Sequence, residues 1–130
     1  MSEENVELVR EGIEAFNRGD IEWLLERIDD DFVFDWSRSR SPLSGVYRVA
    51  DGIAGFIREQ WTTFEEFVIE PSEFIDRGRH VVVPITLRAR GREGIAVSAE
   101  NTQVYTVEDG RVARAAMSQE TDEALAATDE

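Results

Sequence analysis

There is no cysteine anywhere in the 130 residues. That excludes a disulfide framework, a thiolate metal site and a cysteine nucleophile. A single histidine, His80, leaves too few nitrogen ligands for a transition-metal centre. No apolar run approaches the roughly 20 residues of a membrane helix. The opening Met1-Ser2-Glu3-Glu4 carries neither the basic nor the apolar region of a secretory signal, so cytoplasm is the expected location. Positive charge is scarce as well, with 14 basic against 28 acidic residues and a net charge of −14. Such a surface repels phosphate backbones and anionic bilayers, so neither nucleic acid nor membrane is an expected partner. The chain also lacks a nucleophile elbow, a phosphate loop and a dinucleotide fingerprint, which removes those enzyme classes. No metal and no cofactor are expected: the carboxylates fall at helix ends and in the termini, where they solvate the surface.

What is present suffices for a core. The chain is 42% hydrophobic, with three Trp, seven Phe and two Tyr. At this length a single domain over 1–130 buries about two-thirds of its unfolded surface, with residues 1–4 expected to fray and the segment from Glu120 expected to be a short acidic helix or a frayed tail. Val6, Val9, Ile13 and Phe16 recur at helical spacing, and Ile21, Leu24, Leu25 and Ile28 repeat the pattern. Between them Gly19 supplies a left-handed stop and Asp20 a cap for the second helix. Asp29-Asp30-Asp31 is expected to end that helix before a short strand, Phe32–Trp36. Residues 37–49 read as a loop, and a third helix from Asp51 displays Ile53, Phe56, Ile57, Trp61 and Phe64.

From residue 67 the period changes to two. Strands are predicted at about 67–75, 79–90, 95–107 and 111–118, and Glu108-Asp109-Gly110 is the strongest hairpin signal. Helices followed by hairpin-linked strands give an α+β fold. The predicted form is a cone-shaped, curved antiparallel sheet with three N-terminal helices enclosing a pocket. Alternation puts Val81, Val83, Ile85 and Leu87 on one face, and places Asn101, Gln103, Tyr105 and Val107 together on the next strand. Val82, Pro84, Thr102, Val104 and Thr106 point the other way. They are too apolar for open solvent, which predicts a homodimer through the convex face.

Several short strings now acquire a common meaning. Ala15-Phe16-Asn17-Arg18-Gly19-Asp20, Asp30-Asp31-Phe32-Val33-Phe34-Asp35, Gly45-Val46-Tyr47-Arg48 and Asp109-Gly110-Arg111-Val112 occur in this order and spacing. In this the chain resembles the nuclear transport factor 2-like superfamily and its SnoaL-like and ketosteroid-isomerase-like members, over residues 4–127. The resemblance implies the cone of a cystatin-like roll with a pocket inside. It does not imply one function, because the same cone serves isomerases, cyclases, dehydratases and transport adaptors. Carried over by position, the isomerase pattern puts its general base at Asp35. A tyrosine donor of that pattern is replaced by Gly12, and its second oxyanion donor falls near Gln103. Losing one such donor costs about 3 kcal/mol of transition-state stabilisation, which argues against steroid isomerisation.

Two readings of each candidate follow. Asp35, between Phe34 and Trp36, is either a desolvated base in the pocket or a cap or ion-pair partner of Arg38 or Arg40. Gln103 and Tyr105 either orient a ligand or form a buried structural pair. Phe16, Trp23, Trp36, Phe56, Trp61, Asn101 and Met117 complete the expected lining. The expected partner is a small hydrophobic or mixed-polarity molecule. The function is either cofactor-free proton transfer of the isomerase or cyclase type, with Asp35 as base, or ligand binding and interaction without turnover.

Overall fold

The computed structural model describes residues 2–37, 46–48, 55, 64–91, 93–94, 96–126 and 128. The predicted third helix, with Phe56 and Trp61, and the loop containing Arg38 and Arg40 lie outside the described residues.

Helix α1 runs from Ser2 to Asn17, and Glu3 and Glu4 in its first turn complement the helix dipole. Side-chain amides tie it to the sheet at both ends. Asn5 donates to the carbonyl of Gly78 at 3.0 Å, while Asn17 bonds both backbone groups of Ile69, at 2.8 and 2.9 Å. Gly19 takes the left-handed conformation, φ 79°, that ends the helix. Asp20 then caps α2, Ile21–Arg27, by accepting from the amide of Trp23 at 3.0 Å.

The strands are β1 (Ile28–Asp35), β2 (Val46–Arg48), β3 (Phe64–Pro71), β4 (Ile75–Arg77), β5 (His80–Gly91), β6 (Ala96–Glu108) and β7 (Arg111–Ser118). A final helix, α3, spans Thr121–Ala126. The sheet order is β2-β1-β7-β6-β5-β3, with β4 paired to β5. All pairings are antiparallel except β1 with β7, which run parallel. That exception was not anticipated: hairpin signals specify sequential neighbours, and β1 reaches β7 only through the tertiary fold. The acidic triad also differs from expectation. Ile28 and Asp29-Asp30-Asp31 belong to β1, whose pairing with β7 shifts register between Ile28 and Val33. The β6–β7 turn does carry its predicted chemistry, with both Asp109 and Gly110 at positive φ.

The main core joins Val9 and Ile13 of α1 to Ile69, Val81, Val83, Ile85 and Val107. The expected strand faces are therefore in place, with the helices on the Val81–Val83–Ile85 side. On the opposite face Val82, Val104 and Ala124 form a second cluster, with exposures of 0, 7 and 0%. Thr102 meets Thr121 at 2.7 Å, hydroxyl to hydroxyl. The apolar convex residues that suggested a dimer interface are thus covered in good part by the chain's own α3. Of the two forms expected for the C-terminal segment, Thr121–Ala126 take the short helix, and it docks there.

Candidate functional site

Between α1, α2 and the concave sheet face lies a cavity of about 110 Å³. An enclosed cavity of about 150 Å³ takes up benzene, and this one opens to solvent beside Arg27, whose side chain is 38% exposed, so a second ring can extend outward. Period-two geometry decides which strand residues reach it. Phe34 is paired with Ala115 and Asp35 with Ala116, and paired residues share a face while successive ones alternate. Phe32, Phe34 and Ala115 line the cavity. Rings 32 and 34 lie 6.4 Å apart, and ring 34 lies 5.4 Å from Trp36.

Asp35 consequently faces the other way. Its Oδ2 accepts from Arg114 Nη2 at 2.6 Å, and its Oδ1 accepts from the amide and hydroxyl of Ser37 at 3.0 and 2.6 Å. It is not among the described residues that line the cavity. The expectation of a desolvated carboxylate inside the cone is corrected here: the strand's alternation turns Asp35 away, and Arg114 holds it as an ion pair. Of the other predicted lining residues, Phe16, Trp23, Gln103 and Tyr105 do line the cavity. Trp36 and Met117 pack against each other in a separate buried cluster with Phe34, beside the cavity on the same sheet face. Asn101 is buried outside the cavity lining, its Oδ1 without a hydrogen-bond partner among the described residues.

The polar content of the lining is small. Gln103 is only 2% exposed, and Tyr105 stands two residues along the same strand face. The tyrosine hydroxyl donates to Gln103 Oε1. Burial raises the Tyr105 pKa above its ordinary value, so the hydroxyl stays protonated. With its oxygen engaged, Gln103 keeps the Nε2 hydrogens for another acceptor, and the tyrosine oxygen keeps its lone pairs. The pair therefore offers one donor and one acceptor, both neutral.

Gly12 lies in the helical wall, and an added Cβ there would find the Trp23 ring at 4.0 Å. The space a tyrosine would need in the isomerase pattern thus adjoins an indole. Arg27 was not anticipated. Its guanidinium stacks over Trp23, 4.1 Å from the ring centroid, and also lines the cavity. A lone arginine ending a short helix carries no sequence signal for this. His80 lies elsewhere, with Nδ1 3.0 Å from the Thr106 hydroxyl. Desolvation, then Arg79 and Arg114, lower its pKa, opposed by Glu108.

Residues 9–115 match the model of the SnoaL-like domain. The chain belongs to the SnoaL-like family. It is similar to an NTF2-like protein of unknown function from Burkholderia pseudomallei, with 28% identity over 98% of each chain and a TM-score of 0.77. TerC, crystallised with polyporic acid, shares 23% identity over 98% of this chain and 99% of its own, at a TM-score of 0.74. A putative polyketide cyclase from Sinorhizobium meliloti shares 22% identity over 85% of this chain and 93% of its own, at 0.68. The last two likenesses concern the fold alone. Among curated proteins, none matches this sequence.

Proposed function

We propose that this SnoaL-like protein binds a small, largely apolar molecule inside its cone and reads one neutral polar group on it through Gln103 and Tyr105. The observation that carries this reading is the composition of the wall: among the described lining residues, aliphatic and aromatic side chains are interrupted by that one hydrogen-bonded pair and, on the solvent side, by Arg27. Apolar pockets with a few convergent polar groups are the usual form of small-molecule sites. The binding alternative is favoured over proton transfer by Asp35, because that carboxylate is engaged by Arg114 and Ser37 on the far face. A neutral Tyr105 is a donor and not a base. The cysteine-free chain suits a reducing compartment such as the cytoplasm.

2-Naphthol, which is fluorescent and carries one neutral hydroxyl, tests the proposal. It should bind saturably, one per chain. Gly12→Leu should abolish binding by filling the space beside Trp23, while Gly12→Ala keeps the cavity open and binds as before. Unsaturable binding, or equal binding to the leucine variant, would refute the cavity as the site.

A further inference from the structure

Arg27 is the charged residue among the described cavity lining, in a chain whose net charge is −14. It sits at the end of α2, with its side chain 38% exposed, so it marks the cavity's solvent side, whereas Gln103 is 2% exposed. Among the described residues only its Nη1 is engaged: it donates to the Trp23 carbonyl at 3.3 Å and approaches Glu26 at 3.5 Å. Glu26 is itself 71% exposed, a loose partner in high dielectric. Nε and Nη2 make no hydrogen bond among the described residues, and the guanidinium lies over the Trp23 ring, its carbon 4.1 Å from the centroid, which restrains it there. A pre-positioned guanidinium whose second N–H pair is unengaged among the described residues matches a carboxylate in two-point geometry.

The cavity therefore has two unlike ends. We infer that the ligand is a bifunctional aromatic or fused-ring molecule, with a neutral hydroxyl or carbonyl at the Gln103–Tyr105 pair and an anionic carboxylate or enolate at Arg27. The inference rests on the proposed cavity reading and adds the ligand's polarity and orientation to it. A carbonyl accepts from Gln103 Nε2, and a hydroxyl donates to the Tyr105 oxygen. At the other end the anion replaces water on a cation already stacked against an apolar wall, where a charge-assisted bond outweighs a neutral one. The apolar ring system spans between them. A molecule with the anion at the inner end is rejected, because no cation offsets its desolvation there among the described lining residues.

Three probes separate the parts: 2-naphthol, 2-naphthoate and 6-hydroxy-2-naphthoate, titrated into the full chain by calorimetry. The hydroxy acid should bind tightest, about tenfold better than 2-naphthol. Arg27→Gln should weaken both acids by about the same factor and leave 2-naphthol unchanged. Arg27→Lys, which keeps the charge and loses the planar fork, should fall between. Tyr105→Phe should weaken the two hydroxylated probes and spare 2-naphthoate. If 2-naphthol binds and the carboxylate adds nothing, or if Arg27→Gln weakens all three alike, the anionic end is refuted while the cavity stands. If none of the three binds, the cavity reading falls and takes this inference with it.

Discussion

Asp35 shows what a single residue reveals and conceals. Its apolar neighbours in sequence suggested a dry carboxylate, yet neighbours in a strand point to opposite faces, so Phe34 and Trp36 say little about where Asp35 looks. The alternation Phe32, Phe34, Trp36 held the correct signal, and it places Asp35 with Val33. The identity of its partner was not legible, because Arg114 lies 79 positions away and comes near only through the parallel β1–β7 pairing. Gln103 and Tyr105 were legible, since polar residues on an inward strand face stand out against period two. Arg27 was not, for its role depends on stacking over Trp23 within one short helix. Asp35 is 22% and Arg114 48% exposed, a geometry in which such pairs contribute about 0.2–1 kcal/mol. Asp35→Asn should therefore cost up to about 1 kcal/mol in urea unfolding, the amide retaining part of the turn to Ser37. Naphthol binding should be unaffected. A variant that gains stability, or that loses the ligand, would return Asp35 to the cavity.

Among elements, those with strong local signals matched and those fixed by tertiary contact did not. The Gly19-Asp20 break and the Asp109-Gly110 turn are dictated by backbone chemistry at the residues themselves. The start of β1 and the docking of α3 are not. Asp29-Asp30-Asp31 has poor strand propensity, but pairing with β7 begins at Ile28 and overrides it. The acidic C-terminal segment looks like a solvated tail, and only Ala124, with no exposed surface, betrays its contact with Val82 and Val104. Substituting Ala124→Asp tests that contact. A carboxylate buried there would lose its hydration with no partner, so α3 should detach instead, at a loss of about 2 kcal/mol from the apolar burial and the Thr102–Thr121 bond. The freed convex patch should then drive self-association, visible by light scattering after size exclusion. Unchanged stability and mass would mean that α3 does not cover the patch in solution.

For the whole molecule, the sequence spoke clearly about class and poorly about closure. Element order and the family strings specify a helix-covered curved sheet, whereas the cavity's shape depends on which side chains meet across α1, α2 and the sheet. Charge is the global property that composition does determine. A net charge of −14 on a compact chain is self-repulsive. Attractive contacts oppose it: Arg88–Glu70 at 2.5 Å, Arg79–Glu108 at 3.1 Å, and Arg90 with Glu65 and Glu66 at 3.7 and 3.5 Å. Salt weakens both kinds of interaction, so the sign of the net effect follows from their sizes. These pairs join side chains about half exposed or more, and each contributes little. The repulsion among excess carboxylates extends over the whole surface and unfolding relieves it. Its reach shrinks from about 30 Å at 0.01 M to below 8 Å above physiological ionic strength. Raising sodium chloride from about 0.01 M to about 0.3 M should thus stabilise the protein, by on the order of 1 kcal/mol in urea unfolding. Urea is the suitable denaturant because guanidinium chloride is itself a salt. A stability that falls as chloride is added would mean that the surface ion pairs outweigh the repulsion, and that the acidic excess is spread too thinly to strain the fold.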